Sequence, residues 1–119
     1  MATNTLSNVA AELNLSLMQG KYWSTRMTLT DAGGSPVDVT GYAFRGHVRR
    51  TPTNALVAEF AFVVLDAPGG VVRVELLSEQ TAQLSVPHYL YDWEYADADG
   101  EEHALVKGSI SVVAEVTHA

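Results

Sequence analysis

Apolar and polar residues alternate with a period of two through most of this chain, the pattern that lays one face of a β-strand on a core and leaves the other in water. From Glu12 to Met18, Leu13, Leu15 and Leu17 alternate with Asn14 and Ser16, which predicts a strand. Tyr22 to Thr30 repeats the pattern, with Trp23, Met27 and Leu29 on one side and Ser24, Arg26 and Thr28 on the other. The following DAGGSPVDVTG is built of turn formers: Gly33 and Gly34 are free to take positive φ and Pro36 sets the exit, so it reads as a hairpin connection and a short edge. Tyr42 to Arg50 sets Tyr42, Phe44, Gly46 and Val48 against Arg45, His47 and Arg49, giving one face that is wet and basic. After TPTN, the strand Ala55 to Leu65 is apolar on most of both faces, as expected of a central strand or one covered by a partner.

Beyond the APGG turn, Val71 to Leu77 points Val72, Val74 and Leu76 inward. Ser78 to Leu84 breaks the period. With Ser78 as cap, Leu77, Thr81 and Leu84 fall on one side of a short helix that ends before Pro87. Tyr89, Tyr91, Trp93 and Tyr95 then alternate with Leu90, Asp92 and Glu94 in a strongly aromatic strand. The acidic turn DADGEE leads to Leu105–Thr117, where Val106, Ile110, Val112 and Val116 alternate with Lys107, Ser109, Ser111 and Glu115. About seven strands, regular turns and a single helical turn near residues 78–84 predict an all-β protein, an antiparallel β-sandwich or small barrel with immunoglobulin-like topology as the leading form. With no repeat, linker or low-complexity tract, residues 1–119 read as one domain, residues 1–10 being a polar, mobile arm.

Composition narrows the function classes. The 119 residues are 47% hydrophobic and 18% charged, as in a globular domain, and 7 bases against 14 acids give a net charge of −7. Sequence-independent nucleic-acid binding needs a positive surface that releases phosphate counterions, so nucleic acid is not an expected partner. Without cysteine there is no disulfide framework, thiolate zinc site or cysteine nucleophile. The opening residues lack the basic start and apolar stretch of an export signal, and no later run approaches the ~20 residues of a membrane span. The chain is therefore expected to stay in the cytoplasm where it is made, or in whatever particle is assembled there, without a membrane partner.

Chemistry-bearing groups are sparse. Asp97, Asp99, Glu101 and Glu102 around Gly100 superficially resemble a calcium loop, but the ligand series is short and an Asp-Gly between two strands is a favoured hairpin turn. A solvated hairpin tip is the preferred reading. His47, His88, His103 and His118 have no partner at ligand spacing, and no nucleophile elbow or phosphate loop is present, so no enzyme, metal or cofactor is expected. Arg45, His47, Arg49 and Arg50 are the one basic concentration. They read either as a docking patch for an acidic neighbour, since guanidinium forks bind carboxylates, or as a solvent face balanced by acids on the next strand. The aromatic row at Tyr89–Tyr95 could stack on a sugar, but its strict alternation favours core packing. Leu13, Leu15 and Leu17 lie on a candidate arm or edge strand and form a second candidate contact surface.

Taken in order, MQGKYWSTRMTLTDAGGSPVDVTGYAFRGHVRR resembles the N-terminal domain of tailed-phage baseplate upper proteins and related small phage structural proteins. The shared pattern is carried by Gln19, Gly20, Asp31, Gly34, Pro36, Val37, Asp38, Thr40, Gly41, Tyr42, Arg45, Arg49 and Arg50. GGVVRVELLSEQTAQL is similar to that family's strand and short helix, and the segment from Tyr89 to Thr117 to its closing hairpin, with Asp92 and Gly108 in place. The resemblance implies a non-enzymatic virion protein, a baseplate or tail-fibre adaptor that binds other virion proteins and copies of itself. Baseplate upper proteins continue into a long fibre-forming or receptor-binding region, whereas this sequence stops at Ala119. A stand-alone adaptor or a capsid decoration protein is then expected. A carbohydrate- or host-surface-binding module is the reading from a different class, motivated by Trp23, Trp93 and the tyrosines.

Overall fold

The structure is a computed structural model and describes residues 2–5, of which only the backbone is considered, 11–50, 55–85 and 88–114. The strands are β1 (Ala2–Thr5), β2 (Ala11–Glu12), β3 (Leu15–Met18), β4 (Trp23–Thr30), β5 (Ala43–Arg50), β6 (Ala55–Asp66), β7 (Val71–Leu76), β8 (His88–Ala96) and β9 (Glu102–Val113); α1 is Ser78–Thr81. The chain is all-β and sandwich-like, as the alternation predicts. Its layers are a single curled sheet in the order β1-β4-β7-β6-β5-β8-β9-β2, with β3 also on β9.

The strand β6 makes the curl. Its first half, Ala55–Phe60, pairs with β5, and its second half, Ala61–Asp66, pairs with β7. One strand thus belongs to both layers; Ala58 and Phe60 are buried on its inner face, whereas Leu56, Val64 and Leu65 of the same apolar run are exposed. Bulges at Val57 and Leu65, where the register shifts, supply the local bend and twist. Between the layers lies one core, to which β4 and β7 contribute Met27, Leu29, Val72, Val74 and Leu76, and β8 and β9 contribute Tyr91, Trp93, Val106 and Ile110.

Four details differ from the sequence reading. The sheet is antiparallel through its middle but mixed at its edges: β1 runs parallel to β4, and β2 and β3 run parallel to β9. Parallel neighbours need a long connection, and here most of the domain separates β3 from β9. The expected single strand Glu12–Met18 is split at Leu13–Asn14 into β2 and β3. The helix has Leu77, not Ser78, at its N-cap: the Gln80 side chain accepts the Leu77 N–H at 2.9 Å and donates to the Glu59 carbonyl at 2.8 Å, while Leu77 itself is exposed. Thr81 and Leu84 are buried as expected, the Thr81 hydroxyl donating to the Lys21 carbonyl at 2.8 Å. Finally, Gly34 takes positive φ in the β4–β5 connection and Gly33 does not, because Asp31 Oδ1 holds both the Gly33 and Ser35 N–H groups. Val116 and His118 lie outside the described residues, as do most of the arm at 1–10 and the TPTN turn.

Candidate functional site

On β5, Arg45, His47 and Arg49 do point away from the buried Gly46 and Val48, so the three reach one outer face, with Arg50 exposed at the strand end. The strand is basic but the face is not. Pairing sets Arg45 opposite Glu94 and His47 opposite both Asp92 and Glu59. Arg45 Nε donates to Glu94 Oε1 at 2.7 Å and its Nη2 donates to Glu102; the Glu94 bond and charge, then the Glu102 charge, raise the Arg45 pKa above its ordinary value. His47 Nε2 stands 3.7 Å from Glu59 Oε1. Arg49 lies in register between Leu56 and Leu90, both exposed. The result is a mixed-charge face, since acids scattered along β6, β8 and β9 converge on the one basic strand.

The second candidate surface, Leu13, Leu15 and Leu17, is turned inward. Leu17 is buried, and Leu13 and Leu15 pack half-buried against the core. Where β2 passes into β3 the ladder is replaced by side chains: Asn14 Oδ1 accepts the Ser109 N–H and hydroxyl at 3.1 Å each, and the Tyr91 hydroxyl donates to the Leu13 carbonyl. Gly108 makes room, because a Cβ there would lie 1.9 Å from the Leu13 oxygen. Burial pushes the Tyr91 hydroxyl pKa well up, so it stays a donor. Replacing Tyr91 by Phe leaves that carbonyl without its donor, and a loss of about 1 kcal/mol in urea denaturation is expected.

The remaining candidates are accounted for locally. The tyrosines of β8 and Trp93 are all interior, at most 6% exposed, and Trp23 packs edge-on against Phe60 with centroids 6.0 Å apart. The aromatic row is therefore core and offers no sugar platform. In the acidic hairpin, Asp97 Oδ1 accepts the N–H groups of Asp99 and Glu101 at 3.0 Å each, and Oδ2 lies 3.0 Å from His103 Nε2. These bonds, His103 first, hold the Asp97 pKa below its usual 3.8. A lowered carboxylate pKa means stability that is present above the usual value and lost as pH falls through the folded one. Asp97→Asn should accordingly flatten the fall of melting temperature on acidification below about pH 5, measured against wild type.

No family model and no curated protein matches the sequence. Among solved structures, the N-terminal domain of phage TP901-1 ORF48 superposes with a TM-score of 0.61 at 13% identity, covering 93% of this chain and 96% of that one. CopC from Methylosinus trichosporium OB3b covers 100% of this chain and 91% of its own at 16% identity, but its TM-score of 0.48 is too low to build on. At such identity the phage domain shares the fold.

Proposed function

We propose that this protein is a structural component of a tailed-phage virion, without catalytic activity, which joins neighbouring proteins in the baseplate or at a fibre junction. The observation that carries this reading is the extent of the match: the likeness to the phage TP901-1 ORF48 N-terminal domain covers 93% of this chain and 96% of that one. The ordered turn series from Gln19 to Arg50 supports the same reading from sequence. A rigid sandwich suits an adaptor, because it holds loops and edges in fixed places while tolerating change in them. On this reading the partners are other virion proteins and further copies of the chain in the assembled particle.

Mass spectrometry of purified particles, followed by immunogold labelling, tests the proposal. Label at the tail tip is expected. Label over the capsid would replace the adaptor role by decoration of the head, and absence from particles, or a turnover reaction by the purified protein, would remove the structural reading.

A further inference from the structure

The outer face of the other layer holds an arrangement that the fold does not require. β4 and β7 pair so that Arg26 and Arg73 stand directly opposite each other, a placement in which like charges oppose sheet formation. Arg26 is exposed, and its guanidinium has no hydrogen bond or ion pair among the described residues. The Arg73 Nε is buried without a hydrogen-bond partner and lies 3.4 Å from Glu75 Oε2, an oxygen that already accepts the Tyr22 hydroxyl at 2.5 Å. Arg73 thus has one already engaged carboxylate as its ion-pair partner and Arg26 has none among the described residues, in a chain whose net charge is −7.

The backbone beside them is open as well. β1 pairs only with Met27–Thr30, and no described strand lies along the Trp23–Arg26 half of that edge. An open groove of about 450 Å³ is lined by Ser24, Thr25, Arg26 and Arg73. We propose that the Trp23–Arg26 edge of β4 docks an extended acidic segment of a partner protein, which adds a strand there and sets its carboxylates against Arg26 and Arg73. An edge cation that merely deters aggregation would account for Arg26 but not for Arg73, one strand further in, whose buried Nε has an ion-pair contact with Glu75 but no hydrogen bond. A second copy presenting the same edge is disfavoured, because a two-fold contact would gather four guanidinium groups. The proposal rests on this face alone and does not depend on the virion role.

Fluorescence anisotropy of the full chain with a short labelled peptide alternating Glu and Thr tests it. Binding is expected that weakens with salt, falls roughly ten-fold or more in the Arg26→Glu, Arg73→Glu double variant, and is unchanged by Lys107→Glu, an exposed position on β9 in the other layer. N-methylation of alternate peptide residues should weaken binding similarly, since strand addition uses the amide N–H groups. If the double variant fails to fold, Arg26→Gln, altering only an exposed side chain, is expected to weaken binding on its own. No binding of the acidic peptide, full retention by the arginine variants, or undiminished affinity of the N-methylated peptide overturns the proposal. So does a dimer, seen by sedimentation velocity, that dissociates in Arg26→Gln, because that would make the edge a contact between copies.

Discussion

Gly108→Ala is expected to destabilise the protein by about 3 kcal/mol or more, the upper range for forced overpacking, with a fall in melting temperature on the order of 10 °C. The new Cβ would sit 1.9 Å from the Leu13 oxygen and 2.7 Å from its carbonyl carbon. Those are backbone atoms, and they are held from three directions: the Leu13 N–H donates to the Lys107 carbonyl at 2.9 Å, Tyr91 bonds the oxygen, and Asn14 is tied to Ser109. Relief requires β2 and β3 to lift away, taking Leu17 out of the core. Hydrogen exchange identifies the cause as well as the size: protection should fall first at Leu13 and along Leu15–Met18, while the β4–β7 amides keep theirs. An alanine variant with wild-type melting and full protection in β3 would show that the strand does not pass this close to Gly108.

The largest side-chain effect is expected at Trp93. Its indole is 1% exposed and meets Phe60, Phe62 and Tyr91 at centroid distances of 5.5, 6.1 and 5.4 Å, so Trp93→Ala should cost about 3–5 kcal/mol in urea denaturation. The ring also lies over β5 where Gly46 offers no side chain, and an alanine Cβ there would come 2.5 Å from Trp93 Cδ1 and 3.0 Å from Phe60 Cδ2. Gly46→Ala alone should therefore cost roughly 1–3 kcal/mol. Because both changes act on the same contact, the double variant should be less damaged than the sum of the two, by on the order of 1 kcal/mol. Strict additivity would mean that Gly46 is needed for some reason other than the indole. Trp93→Phe should fall between wild type and Ala, since it retains most of the ring while removing an Nε1–H that is buried without a partner.

What the sequence made legible was local. Alternation in Tyr22–Thr30, Val71–Leu77 and Tyr89–Tyr95 names the buried face of β4, β7 and β8 correctly, because each such face depends only on the pleat of its own strand. The doubly apolar run at Ala55–Leu65 does mark a central strand, although nothing local tells that its two halves serve different layers. Pairing is not written locally. The bulge at Leu105, which buries both Leu105 and Val106, is a relation between β9 and β8. The neutralisation of Arg45 needs Glu94 and Glu102, 49 and 57 positions away. The opposed arginines of β4 and β7 likewise appear only once the register is known. In the sequence Arg26 is simply a polar residue on the wet side of its strand, and the one available signal is a cation in a strand of an acidic chain.

The parallel pairing of β3 with β9 also determines how the domain answers tension. A pull applied to the backbone ahead of Ala11 and beyond Ala114 drags these two neighbours in opposite directions along their common axis. Every bond of the ladder from Ala11 to Met18, with the Asn14 clamp at its middle, is then loaded in shear at once, so none can rupture singly as in a peeled hairpin. A domain wired this way resists tension applied across those two points through the whole ladder together.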